Sequence, residues 1–299
     1  MNTALRPGSR GIEVKVIQSW LAELGYGKPG EMTPGEFDKA TTAAVQKFQT
    51  SYQLSPDAEI GPNTWWALLT AMRWDSPYGI PTDDPAGTPR WLANFKIRPT
   101  AFPVWNFHLP TFAELHHAFF NRDAPPGLYA LLGYIARDEA VGDVRWAAYM
   151  LATVHAECGP TKSNPAFEPV EEGLKSRENQ PYNKPQTAPD GSKQCYYGRG
   201  YIQLTHLRNY KAMTAALGLV GDDDLANHPE RALDRDIAYR VMACAFGRGL
   251  DGSPPLSHYI HHRQCDYLHA REIINRMDRA DEIMLYAKKY DLCLTGAFG

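Results

Sequence analysis

The chain has 299 residues, 43% of them hydrophobic and 22% charged, with a formal net charge of −3. That length suits two domains, and the composition supplies a packed core. A near-neutral balance leaves no electrostatic footprint for nucleic acid or an anionic membrane and fits a small molecule, a neutral sugar polymer or a protein partner. Five cysteines (Cys158, Cys195, Cys244, Cys265 and Cys293) are dispersed with no Cys-x-x-Cys pair, which argues against a secreted disulfide framework. The N-terminus "MNTALRPGSRGIEV" has no apolar signal core, and no run approaches a membrane span. The expectation is a protein made soluble and reduced, without membrane insertion, that needs a separate release route if it works outside the cytoplasm.

Residues 1–72 read as a compact helical unit. Val14, Ile17, Leu21 and Leu24 step by three and four, the spacing of one helix face, and Gly25 follows as a stop. A second face runs through Thr41, Val45, Phe48 and Tyr52. A third helix opens at "GPNTWWALL", where Pro62 suits a first helical position because its missing N–H would be unpaired there anyway. The pattern predicts a three-helix bundle.

This stretch, with Leu5, Gly8, Gly11, Val14, Gln18, Leu21, Leu24, Gly25, Tyr26, Ala44, Val45, Phe48, Gln49, Ile60, Gly61, Thr64 and Trp65 at matching places, resembles the peptidoglycan-binding type 1 domain. The resemblance implies binding to peptidoglycan glycan strands. Two loops depart from the family pattern: Asp57-Ala58 stands where Asp-Gly is usual, and "GEMTPGEFD" replaces Asp-Gly-x-Phe-Gly.

From Arg73 to Pro110, seven prolines exclude regular structure and predict a semi-rigid linker. Its aromatics Trp91, Phe95, Phe102, Trp105 and Phe107 predict that its second half lies against the domain that follows. Helical signals resume at "TFAELHHAFF", where Thr111 and Glu114 form a capping-box pattern. Further helices are predicted at 128–138, 144–158, 206–217, 234–246 and 279–291, and only "YYGRGYIQLT" has strand character. The expected architecture is mainly α, a small N-terminal domain (1–72), a linker (73–110) and a larger α-helical domain (111–299).

In "VRWAAYMLATVHAEC", Met150, Val154 and Glu157 fall on one helix face, and Gly159-Pro160 ends the helix directly afterwards. Partial burial and the negative end of the helix dipole both favour a protonated Glu157, as a general acid requires. The alternative is a frayed, exposed end. A zinc reading of His155-Ala156-Glu157 needs a Cys-x-x-Cys partner or an HExxH run, and neither occurs, so no metal or other cofactor is expected. Cys158 then reads as a buried small residue.

A glycosidase needs a second carboxylate across the scissile bond, and the long polar segment after Pro160 offers Glu168, Glu171, Glu172 and Glu178. Next, Gly198 and Gly200 flank Arg199 and permit a tight backbone path. Thr205 fits an N-cap, with Asn209 one turn on, so Gln203, Thr205 and Asn209 either converge as hydroxyl- and amide-binding groups or serve the helix start alone.

Taken together, "RWAAYMLATVHAECG", "FEPVEEG", "YYGRGYIQLTHLRNY", "ANHPERALDRDIAYRVM" and "REIINRMDRADEI" resemble the catalytic domain of glycoside hydrolase family 19, over about residues 144–290 and closest to its phage-type members. The resemblance implies a lysozyme-like fold and puts the general acid at Glu157. It puts the base at Glu172, with Glu171 the rival one gap shift away. Substrate-binding places fall on Tyr197, Arg199, Gln203, Thr205, Asn209 and Asn275. Family 19 enzymes invert, which requires a carboxyl separation of roughly 6.5–9.5 Å to hold the attacking water. His-Ala-Glu-Cys departs from the family's His-Glu-Thr, and Arg279 is the nearest counterpart of an arginine some chitinases carry. The two resemblances together imply a monomeric peptidoglycan-degrading endolysin, made in the host cytoplasm and acting on the cell wall after release. A chitinase and a non-catalytic wall-binding protein are the alternatives.

Overall fold

The apolar stripe of Val14, Ile17 and Leu21 becomes helix α1 (Ile12–Glu23), in which all three side chains are buried. Gly25, at φ 82, turns the chain out of it. Helices α2 (Lys39–Ser51) and α3 (Pro62–Trp74) follow, with Pro62 at the first helical position. In this computed structural model, residues 4–74, 108–159, 167–261 and 264–297 are described. Most of the 73–110 linker, with its aromatics, therefore lies outside them. The chain divides into two compact units, one made of Met1–Ala124, Val141–Ala148 and Lys288–Gly299, the other of Pro125–Ala140 and Tyr149–Ala287.

The first unit is organised by two buried glutamines that play the same part twice. Gln18 on α1 donates from Nε2 to Thr33 O, Glu36 O and Thr41 Oγ1 and accepts from Gly35 N, all at 2.8–2.9 Å. Gln49 on α2 donates to Asp57 Oδ1, Glu59 O and Thr64 Oγ1 and accepts from Ala58 N. Each amide thus holds the loop after its own helix and the first turn of the next helix. Ala58 sits at φ 62, the left-handed conformation that explains why a glycine is usual there. Asp38 caps α2 by accepting from Thr41 N, and the N–H groups of Thr41 and Thr33 hold its carboxyl well below the usual range.

Helix α4 (Leu109–Phe120) begins earlier than the Thr111 capping box predicts. His108 is the N-cap, its Nδ1 accepting from Thr111 N at 3.3 Å, and Pro110 occupies the first turn. The linker prolines therefore include one that starts a helix, because a missing N–H costs nothing in a first turn. His116 on α4 is fully buried, stacked on Phe120 at 4.6 Å, with Nδ1 3.0 Å from Arg122 O and Nε2 without a hydrogen-bond partner.

In the second unit, α5 (Pro126–Ile135) and the end of α6 (Val144–Glu157) are followed by β1 (Val170–Glu171), α7 (Leu174–Arg177), β2 (Gln186–Thr187), β3 (Lys193–Gln194) and β4 (Arg199–Gly200). Helices α8 (Leu207–Leu217) and α9 (Arg235–Arg248) lead to α10 (Leu256–Tyr259), the β5–β6 hairpin (Ile260–His261, Gln264–Cys265), α11 (Glu272–Asn275) and the start of α12 (Ala280–Ala297), whose residues from Lys288 on count with the first unit. Among the described residues the strands pair as three two-stranded antiparallel ladders, β1–β4, β2–β3 and β5–β6, and the protein is mainly α. Buried Ile237, Val241, Met242 and Ala245 make α9 the unit's central helix, and Tyr239 stacks on Tyr134 at 5.2 Å while donating to Asp138 at 2.7 Å. No described helix is long and apolar enough to cross a membrane.

Two outcomes are expected. Gln49→Ala leaves buried partners unsatisfied and should lower unfolding free energy by roughly 2–3 kcal/mol in urea titration. Burial lowers the His116 pKa from its ordinary value to about 4. The unfolded state therefore binds the proton first, so stability should fall as pH drops through the window from 6.5 to about 4. His116→Leu should flatten that part of the Tm-versus-pH curve.

Candidate active site

Three segments of the second unit build one cavity of about 900 Å³. The first is the end of α6. Its apolar face, with Met150 and Val154 buried, continues to Glu157, whose side chain is 15% exposed and lines the cavity. Gly159 lets the chain leave the helix, since a Cβ there would meet His155 O at 2.7 Å. Arg271, 1% exposed, brings Nη2 to 2.7 Å from Glu157 Oε1, a charge the sequence argument did not include. The contact is an ion pair only: Glu157 Oε1 has no hydrogen-bond partner. Arg279, itself paired with Glu282, donates from Nη1 to Ala156 O at 3.0 Å and fills one of the carbonyls left open at the helix end.

The neighbours of Glu157 have other tasks. His155 is 4% exposed, stacked on Tyr286 at 4.2 Å, and is not part of the cavity lining. Cys158 is buried and donates from Sγ to Gly200 O and Tyr201 O at 3.5 and 3.6 Å, and burial pushes its thiol far up. It is an inert connector between α6 and β4. Among the described residues no cluster of His, Cys, Asp and Glu could hold a metal ion.

The second segment is the β1–β4 hairpin, in which Val170 faces Gly200 and Glu171 faces Arg199. Adjacent residues at a strand point to opposite sides, so Glu171 and Glu172 part company. Glu171 contacts Tyr197 Oη and lies 3.7 Å from Arg199 Nε, outside the cavity lining. Glu172 lines the cavity, accepting from Tyr182 Oη at 3.0 Å and from Gly198 N at 3.1 Å. Burial, then the bond to Glu172, raises the Tyr182 pKa to about 12, so the phenol keeps its proton as a donor. Glu168 is occupied by a two-pronged pair with Arg235 at 2.6 Å, and exposed Glu178 is not in the lining.

Arg199 and Tyr197 also lie outside the lining. The guanidinium is 3.7 Å from the centre of the Tyr197 ring, and it donates to Cys195 O and Tyr210 Oη from a side chain 6% exposed. Its place is under the hairpin. Gln203, at φ 52, donates to Val170 O and Gly200 O and so holds the two strands together. Thr205 donates to Gln203 O, and Asn209 donates to Thr205 O. Thr205 is not the N-cap of α8. That position belongs to His206, whose side chain makes no capping bond. Gln203, Thr205 and Asn209 all line the cavity, each with its donor turned to the backbone.

The third segment carries the expected Asn275 together with residues that sequence reasoning missed. Asp251, paired with Arg208, and Ser253 come from the turn after α9, while Glu272, Asn275, Arg276 and Met277 come from α11 and the turn beyond it. Glu272 accepts from Tyr259 Oη at 2.9 Å, and Asn275 lies 3.4 Å from Asp278 Oδ2. "DGSPP" signalled a turn but not which wall it faces. Arg276 has φ 51 and ψ −134, a region ordinarily open only to glycine, at a cost of about 1–3 kcal/mol for any other residue. Among the described residues its guanidinium has no hydrogen-bond or ion-pair partner.

Residues 10–68 match the family described as "Putative peptidoglycan binding domain". The crystal structure of chitinase C from Streptomyces griseus HUT6037 is similar at 21% identity and a TM-score of 0.40, covering 66% of this chain and 95% of that one. No curated protein matches the chain by sequence.

Gly200 joins these walls at φ 82, and a Cβ there would sit 2.8 Å from Ala232 O. Gly200→Ala should therefore lower unfolding free energy by more than about 1 kcal/mol, read as a reduced Tm.

Proposed function

We propose that this chain is a cell-wall glycoside hydrolase that cuts the β-1,4 bond between N-acetylmuramic acid and N-acetylglucosamine in peptidoglycan. The observation that carries the reading is the convergence of Glu157 and Glu172, from a helix end and a strand end, on one cavity lined by Gln203, Thr205, Asn209 and Asn275. The match of residues 10–68 to a peptidoglycan-binding family supplies the polymer, and the family 19 resemblance of residues 144–290 supplies the reaction class.

In this reading Glu157 gives its proton to the glycosidic oxygen as the bond to the anomeric carbon breaks. Glu172 takes a proton from the water that attacks that carbon on the opposite face, so the configuration inverts. Tyr182 and the Gly198 N–H hold Glu172 in place, and Arg271 holds Glu157 through its Oε1. Gln203, Thr205, Asn209 and Asn275 contact the sugars. The small domain holds the enzyme on an insoluble polymer and raises its local concentration there. The corresponding biology is that of an endolysin, monomeric, made in the cytoplasm of a phage host and acting on the wall after release.

Glu157→Gln and Glu172→Gln should each slow clearance of permeabilised bacteria by more than about 100-fold, and Glu171→Gln by no more than a few-fold. Mass spectrometry of the digest should show muropeptides with reducing N-acetylmuramic ends, and proton NMR should show the α-anomer first. Undiminished clearance by Glu157→Gln, or sugar release from chitin but not from peptidoglycan, would overturn the reading.

A further inference from the structure

The charges around the cavity are unevenly matched. Glu157 meets Arg271, Glu172 meets Tyr182, Asp251 meets Arg208, and Glu272 meets Tyr259. Arg276 alone among the described cavity-lining cations has no anionic partner. It also stands where the backbone, at φ 51 and ψ −134, favours glycine. The strain falls within a short turn closed by Asp278 N donating to Asn275 O at 3.3 Å. Arg276 is exposed at the cavity wall, so its charge is hydrated, while its backbone keeps a strain that a glycine would not carry. Neither contributes to the stability of the fold.

We infer that Arg276 is a specificity-determining residue that pairs with a carboxylate on the substrate, selecting an acidic N-acetylated glycan over a neutral one. This rests on the hydrolase reading above and deepens it. A neutral N-acetylglucosamine polymer offers nothing for a guanidinium to pair with. A peptidoglycan strand carries carboxylates on its stem peptides, or on the lactyl groups once the peptides are removed. A guanidinium fits such a group with two parallel, charge-assisted hydrogen bonds.

The test uses the full chain and two variants, Arg276→Gly and Arg276→Lys. Binding is measured by calorimetry to soluble muropeptides, to peptide-stripped glycan fragments and to chitin oligosaccharides. Removing the guanidinium should reduce the affinity ratio of acidic over neutral ligand by about tenfold, the size of one charge-assisted pair. Arg276→Lys should retain part of it, and added salt should erode the preference of the parent chain but not of the glycine variant. The acidic ligand that suffers more identifies the carboxylate, lactyl or peptide. Arg276→Gly should also raise Tm as the strain is released, which separates a lost contact from a damaged fold. An unchanged acidic-to-neutral ratio in Arg276→Gly overturns the inference even if peptidoglycan is still cleaved. Binding that follows the expected pattern without any turnover would instead overturn the hydrolase reading and leave the pairing standing.

Discussion

The second unit depends on how the C-terminal end of α6 is closed. A helix end leaves open carbonyls and a negative dipole, and here it also presents a carboxylate to a cavity. Three unrelated contacts resolve this: Arg279 takes the Ala156 carbonyl, Arg271 lies against the Glu157 carboxylate, and Cys158 reaches the carbonyls of Gly200 and Tyr201. Each ties the helix end to a different later segment. Without them Glu157 would be on a frayed terminus with no fixed relation to the hairpin that carries Glu172.

The hairpin solves a related problem with very little structure. Two residues per strand make a weak ladder, so its geometry comes from side chains that bridge it. Gln203 binds both strands, Arg199 fills the space beneath, and Gly200 admits the Ala232 carbonyl. The same scaffold passes Glu172 to the cavity and leaves Glu171 on the other side. In the first unit the economy is similar, with one buried glutamine per loop standing in for longer regular structure.

Much of this was legible in advance where local rules act alone. The helix stripes, the Pro62 start, the Gly25 and Gly159 exits and the mainly α class all follow from periodicity and backbone preference. The capping residues did not follow, because Thr111 and Thr205 both have the right chemistry for an N-cap. Their neighbours His108 and His206 took the positions instead, since the chain reaches each helix along a path set by distant packing. Likewise Tyr197 and Arg199 sit inside a motif that reads as substrate-binding, yet their polar groups are absorbed by the hairpin itself.

By itself, the sequence determined which segments are helical, where they stop, and that a carboxylate would stand at the end of an apolar helix face. Those depend on interactions within a few residues, and one chain of letters displays them. Only the tertiary structure decided that Arg271 would face Glu157, that Glu172 rather than Glu171 would enter the cavity, and that Arg276 would stand there unpaired. Those outcomes depend on contacts across scores of residues and on which side of a two-residue strand faces inward. A one-residue shift in that strand would exchange the two glutamates, and no local preference distinguishes them.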